Sequence, residues 1–296
     1  MQKLKNGIQL IVQTYKNWMA SDPFQMSAAV SYYALFSFPA LLIIVVQVTG
    51  LFYDEQQVRT KILNEIGGVL GKDASVTVDN LMQNALIQDQ TAFAIIIGVA
   101  TLLYGATGMF VALQKALNNL WGVEPNPKEG FLKLLKDRLF SLGLILIIGF
   151  LLLISLVLTA LISAIGDWIQ GNMPDVVLWI IHLINFVIPL GLITVLFGMI
   201  FKILPDITIK WKYVWLGAFV TSLLFSAGKY GLGVYFGTMN PASAFGAAGT
   251  VVLIMLWVSY SSLILFFGAE FTKVYSESFN EPIAAQDHAK FVDTTQ

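Results

Sequence analysis

The stretch FGAAGTVVLIMLWVSYSSLILFFGAEF, residues 245–271, decides how this chain is read. No charge interrupts it until Glu270, which still has apolar neighbours, and Lys273 follows. A helix rises 1.5 Å per residue, so about 20 apolar residues cross the ~30 Å hydrocarbon layer of a bilayer. This run is long enough. Two of its details need the rest of the chain: the small residues Gly246 to Gly249 at its start and the buried-looking carboxylate at its end.

The run is not alone. The 296 residues are 57% apolar and 12% charged, against about 25% charged in a soluble domain. Uncharged runs of spanning length recur, so the sequence predicts an all-α polytopic membrane protein. Six transmembrane helices are expected at 27–52, 92–113, 139–165, 178–201, 213–236 and 244–271. They make one membrane domain over 1–275, followed by a polar cytoplasmic tail over 276–296. Long loops lie at 53–91 and 114–138. The first 27 residues show no apolar region followed by a small-residue cleavage site, so no cleavable signal peptide is expected.

Orientation follows from the basic residues. Lys3, Lys5 and Lys16, then Lys115, Lys128, Lys133, Lys136 and Arg138, then Lys202, Lys210 and Lys212, and finally Lys273 and Lys290 all fall on one side of a six-span chain. The other side has only Arg59, Lys61 and Lys72, in a loop that also holds six carboxylates. Both termini are therefore expected in the cytoplasm.

Two further segments are amphipathic. Residues 4–19 gather Leu4, Ile8, Ile11, Val12, Tyr15, Trp18 and Met19 on one helical face. That pattern suits a helix lying on the cytoplasmic surface, with Trp18 at headgroup depth. The 53–91 loop predicts two helices, about 55–66 and 76–88, broken by Gly67, Gly68 and Gly71. Val58, Ile62 and Ile66 make one stripe, and Val78, Leu81, Met82 and Ala85 another. Together they form a small helical cap on the outer side.

The chemistry is limited by what the sequence lacks. With no cysteine there is no disulfide, thiolate metal site or cysteine nucleophile. No phosphate-binding Gly-x-x-x-x-Gly-Lys-Ser/Thr loop occurs. His182 and His288 have no metal-ligand spacing with acids. Neither metal carboxylates nor a base beside a basic groove is present for nuclease work. The chain is expected to be no enzyme, to need no cofactor and to bind no nucleic acid.

Polarity at membrane depth remains. Ionisable groups there are costly unless paired or facing water. Glu270 closes span six, and Arg138 opens span three at the same depth, which makes them a candidate ion pair or gate. Lys229 lies about 25 Å along a helix begun at Lys212, amid Gly228, Gly231, Gly233 and Gly237. It either snorkels to the outer headgroups or faces a wet cavity, and the glycines, with one Gly-x-x-x-Gly, are expected to permit close helix packing. In span one, Ser27, Ser31 and Ala34 form a small-residue stripe. Pro39 is expected to break that span and Pro189 to interrupt span four at comparable depth. Tyr32, Tyr33, Ser37 and Gln47 with these prolines are the candidate cavity lining.

SAAVSYYALFSFPALL at 27–42, KDRLFSLGLIL at 136–146 and the 245–271 run resemble the YihY / virulence-factor BrkB family. The similarity runs from about residue 20 to 275. It implies a six-span protein of the bacterial cytoplasmic membrane, and it implies that Gly268-Ala269-Glu270 is a signature matched in position and charge to Arg138. Members were once labelled ribonuclease BN, a label the missing catalytic groups argue against here. The family's association with serum resistance and lipid or lipopolysaccharide export implies amphiphile transport, with membrane lipids as partners. An ion- or proton-coupled antiporter and an envelope assembly factor docking a partner on the outer cap are the alternatives, and homo-oligomerisation is compatible with each.

Overall fold

The computed structural model describes residues 2–50, 55–85, 92–125, 175–239, 241, 245, 248–279, 283–286 and 289–292. Among them the chain is mostly helical. Eight α-helices run α1 Gln2–Ala20, α2 Pro23–Gly50, α3 Glu55–Leu70, α4 Lys72–Ala85, α5 Ala92–Trp121, α6 Asp175–Ile203, α7 Trp211–Met239 and α8 Gly249–Glu277. Four short strands join them: β1 Val123–Pro125, β2 Ile207–Thr208, β3 Ala284–Ala285 and β4 Ala289–Phe291. The expected span at 139–165 lies outside the described residues. Two compact units form, one from residues 1–120 and 224–267, the other from 121–223 and 268–296.

In the first unit, α1 and α2 are joined by a tight corner. Asp22 takes a left-handed conformation (φ 52°), and Pro23, whose fixed φ suits a first helical position, starts α2. Ile8, Ile11, Val12, Tyr15 and Met19 of α1 are exposed, while Thr14 on the opposite face is fully buried. Trp18, on the same helix, also makes contacts within the protein. It is half-buried and packs on Phe24 and Phe267, with ring centroids 6.0 and 5.9 Å away. The small stripe of α2 is buried as its spacing predicts, with Ser27, Ser31 and Ala34 at most 5% exposed, and Ser27 Oγ meets Ser259 Oγ of α8 at 3.0 Å.

The two helices of the 53–91 loop form, with one correction. Gly67 and Gly68 lie inside α3, and the break comes at Gly71 alone, whose φ of +92° ends the helix. A second helix therefore starts at Lys72, earlier than the pattern suggests. Val78 and Met82 are buried against Ile62, Leu63 and Ile66. Arg59 and Asp79 tie the pair at 2.5 Å. Ala74 packs with Phe236, Leu253 and Ile254, and Thr250 Oγ1 bonds Thr77 Oγ1 at 3.1 Å.

Three more expectations change. Helix α5 continues through Lys115 to Trp121, eight residues past the predicted span, and stops where Gly122 takes φ +67°. Helices α2 and α6 run unbroken through Pro39 and Pro189. A proline removes one backbone donor, and neighbouring groups inside a packed or membrane helix can absorb that loss without a break.

In the second unit α7 is packed on two sides by small residues. On one side Thr194 Oγ1 and Ser222 Oγ lie 2.8 Å apart, and a Cβ on Gly198 would sit 3.7 Å from Ala218 Cβ, which brings α6 against α7. On the other side Gly217 and Thr221 of α7 meet Thr272 and Gly268 of α8. A Cβ on Gly217 would overlap the Thr272 side chain, whose Cβ would be 2.9 Å away. One on Gly268 would overlap Thr221, with that Cβ at 2.8 Å. Each threonine hydroxyl donates to the carbonyl four residues back, Gly217 O and Gly268 O, at 2.7 Å. In each notch the hydroxyl oxygen itself takes the place a Cβ would have, while its proton stays on its own helix carbonyl.

The strands pair antiparallel, β1 with β4 and β2 with β3. The segment read as a polar tail thus carries β3 and β4, and Lys290 bridges Glu124 at 2.9 Å.

Among the described residues, Phe186–Ile203 and Gly249–Glu277 are long and apolar enough to cross a membrane, and their most apolar windows are only 28% and 33% buried. A soluble core helix hides most of such a surface. Trp211, Trp215, Phe219 and Leu223 on α7, and Phe186 and Val187 on α6, are exposed as well, more apolar surface than a water-soluble fold leaves open.

The glycine contacts give a direct test. Gly217→Val or Gly268→Val should lower the thermal midpoint of detergent-purified protein by several degrees, in line with roughly 1–3 kcal/mol for overpacking. Gly231→Ala, where a Cβ meets nothing within 4 Å, should leave the midpoint unchanged or raise it. Equal midpoints for all three would refute the close approach.

Candidate functional site

The α2 candidates divide between two faces. Tyr32 is 54% exposed, beside Phe36 at 46%, with ring centroids 5.1 Å apart. Tyr33 is half-buried and lies on Gly108 of α5, where a Cβ would come within 2.5 Å of its ring. Ser37 is buried and donates to Ala34 O at 3.0 Å. Tyr33 and Ser37 therefore serve helix packing in the structure, and Tyr32 faces outward. Pro39 and Gln47 are positions on α2 whose side chains lie outside the described residues.

Lys229 belongs to the same unit and is exposed on α7, next to the exposed Tyr230 (78%). Of the glycines around it, Gly228 makes the close approach: a Cβ there would lie 2.8 Å from Tyr260 Cζ. Gly231 and Gly237 have open space, and Gly233 has only Gly68 O at 3.6 Å. The Gly-x-x-x-Gly pair 233–237 is therefore not the contact that brings α7 and α8 together in this unit. Tyr260 over Gly228 is, with Phe225 and Trp257 edge-on at 5.9 Å nearby.

Pro189 and Glu270 belong to the other unit. Glu270 is 1% exposed, among the most deeply buried side chains described. Its position on α8 explains this. At 100° per residue it sits about 200° round the helix from Gly268, so it points away from the α7 contact. Ala269, Phe266, Thr272 and Ser276 around it are also buried, and this part of α8 is enclosed on all sides. Arg138, its candidate partner, lies outside the described residues. A buried carboxylate needs a counter-charge or hydrogen bonds to stay ionised, and the α8 face opposite α7 is where such a partner belongs. Among the described residues no group of three His, Asp or Glu could hold a metal ion.

Two features escaped sequence reading. The first is the reciprocal Gly217/Thr221 and Gly268/Thr272 packing, whose signal is a Gly-x-x-x-Thr on each helix. The second is a cleft of about 390 Å³ lined by Lys202, Lys210, Trp211, Tyr213 and Ser276 together with Thr208, Ile209, Ile283 and Ala284. It is built by residues far apart in the chain, so spacing gives no hint of it.

The family described as Virulence factor BrkB matches residues 14–292. Curated relatives are named UPF0761 membrane protein. One from Tolumonas auensis is 29% identical over 61% of this chain, and the match spans 57% of that relative's own length. One from Alteromonas mediterranea is 24% identical over 88% of this chain and 84% of its own. One from Mannheimia succiniciproducens is 23% identical over 86% and 84%. No solved structure matches.

Glu270→Ala should destabilise the protein far more than Glu270→Gln, on the scale of about 3–5 kcal/mol for breaking a buried pair. If Arg138 is the partner, Arg138→Gln and Glu270→Gln should be non-additive by at least about 1 kcal/mol in a double-mutant cycle of thermal stability. Simple additivity would remove Arg138 from that role.

Proposed function

This chain belongs to the virulence factor BrkB family of membrane proteins, and from that premise we propose a bacterial cytoplasmic-membrane transporter or facilitator that moves a lipid or other amphiphile in envelope biogenesis. In this reading it spans the membrane six times with both termini in the cytoplasm. The positive-inside distribution of Lys and Arg supports that orientation. It is a transporter and no enzyme, working without a bound cofactor. Membrane lipids are its partners, with the outer cap α3–α4 as a surface for an envelope protein.

One observation carries the reading. Polar groups stand on outward-facing positions of apolar helices: Lys229 next to the exposed Tyr230, and Tyr32 beside Phe36. A pathway for small ions encloses its polar groups away from lipid. An amphiphile keeps its tail in the bilayer, so the groups that handle its head must be open to the side.

A second reading has the buried Glu270 behind it. A carboxylate closed off at one end of a membrane helix is a proton-site candidate, and proton-coupled exchange would then drive transport. Proteoliposomes with an internal pH dye separate the two: flux abolished by Glu270→Gln favours coupling, and unchanged flux removes it.

The transport reading is tested with protein in liposomes that contain head-labelled phospholipid, quenched from outside. Quenching should pass half of the label, outpace empty vesicles and fall in Lys229→Ala. A plateau at half the label would remove unassisted phospholipid translocation. The topology is tested by exploiting the absence of cysteine. Gln57→Cys in the cap should react with an impermeant maleimide on spheroplasts. Ser278→Cys should react only after permeabilisation, and the reverse pattern would invert the orientation.

A further inference from the structure

The end of the second unit where α6 hands over to α7 carries a cleft that none of the readings above uses. Its lining includes Lys202, Lys210, Trp211, Tyr213 and Ser276, and among the described residues no carboxylate lines it, the buried Asp206 of the same connection lying outside the lining. Its volume of about 390 Å³ lies within the roughly 300–1,000 Å³ usual for small-ligand sites. Lys202 is anchored by donating its ammonium to Ile209 O across the connection. A third cation stands close by, since Lys212 Nζ lies 4.5 Å from the centroid of the Tyr213 ring. Helix α7 starts at Trp211, so its positive end adds to the field of the lysines.

The lining also carries two hydroxyl groups. Ser276 is 2% exposed and Tyr213 4%, and both line the cleft. Tyr213 is held in place by edge contacts with Tyr275 at 5.9 Å and by Phe279 at 5.7 Å. Lysine ammonium groups and hydroxyl donors in one lining match a group with several anionic oxygens.

The mouth is amphiphilic. Trp211 lines the cleft and is 43% exposed, and it stacks on Trp215 at 5.7 Å. Phe219 and Leu223 continue the same exposed row at four-residue spacing. An apolar ridge thus leaves the cleft along α7.

We propose that this cleft binds the phosphate headgroup of an anionic amphiphile, with Lys202, Lys210, Tyr213 and Ser276 receiving the phosphate and the Trp211–Trp215–Phe219 ridge receiving the start of the tail. The shared chemistry is a phosphate group, and the ridge assigns it to a lipid rather than to the free ion. This deepens the amphiphile reading, but binding is measured without translocation. A chain that fails the liposome assay can still pass this one.

The experiment is native mass spectrometry of the full chain in detergent, titrated with dioctanoyl phosphatidate, dioctanoyl phosphatidylcholine or inorganic phosphate. Phosphatidate should bind at least tenfold tighter than phosphatidylcholine. Lys210→Glu, at an exposed position, should weaken phosphatidate at least tenfold, and Ser276→Ala, which removes one oxygen, by several-fold. Trp211→Ala should weaken the lipid and leave inorganic phosphate unchanged. Equal binding of the two lipids, or wild-type binding by both Lys210→Glu and Ser276→Ala, would overturn the proposal. Inorganic phosphate binding as tightly as phosphatidate would overturn its lipid assignment.

Discussion

Two threonines seated in two glycine notches set the spacing of the second unit. In water the hydrophobic effect would pull α7 and α8 together whatever their surfaces. In a bilayer lipid tails are as apolar as leucine, so helices associate only where their shapes fit better than lipid does. Gly217 and Gly268 remove the Cβ atoms that would hold the backbones apart. Thr272 and Thr221 then fill the space. The hydroxyls would be a liability against an apolar partner, but each is turned onto its own helix carbonyl. On its adjacent face α7 presents Ala218 and Ser222 to Gly198 and Thr194 of α6. One helix is thus clamped twice by residues with almost no side chain, and its remaining face is left for large apolar groups.

That arrangement answers one of the two questions raised by the 245–271 run. Its terminal carboxylate is buried because Gly268 and Thr272 are committed to α7 and the α8 residues beside it, Ala269 and Phe271, are buried too. A glutamate two residues on from Gly268 has nowhere to go but the other side of the same helix. The small residues at the start need a different account: Gly249 begins the helix and Thr250 is tied to Thr77 of the cap, so the entry of this helix is fixed by the α3–α4 pair.

Much of the helical layout was legible because apolar runs and small-residue stripes are periodic. Ser27, Ser31 and Ala34, and Val78 with Met82, sit where the spacing puts them. The misses have physical causes. Prolines 39 and 189 suggested breaks, but a proline lowers helix stability without forbidding a helix held by its surroundings. Gly67 and Gly68 looked like punctuation, yet only Gly71 adopts a conformation that side chains avoid. Lys229, expected either to snorkel or to face a wet cavity, is exposed on α7, as a snorkelling lysine would be. The Gly-x-x-x-Gly at 233–237 drew attention to the wrong glycines, because a motif counted along one helix says nothing of what faces it. Strands of two or three residues carry no pattern at all.

The strands set a timetable for the ribosome. Val123 pairs with Phe291 and Ile207 with Ala285, so β1 and β2 leave the exit tunnel long before their partners exist. At 5–20 residues per second, β1 stays open for about 10–30 s after it is made. During that interval its unpaired amides face an edge that any extended chain could occupy. The helix cap at Gly122 and the charge on Glu124 are what the nascent chain has to keep that edge short until β4 arrives.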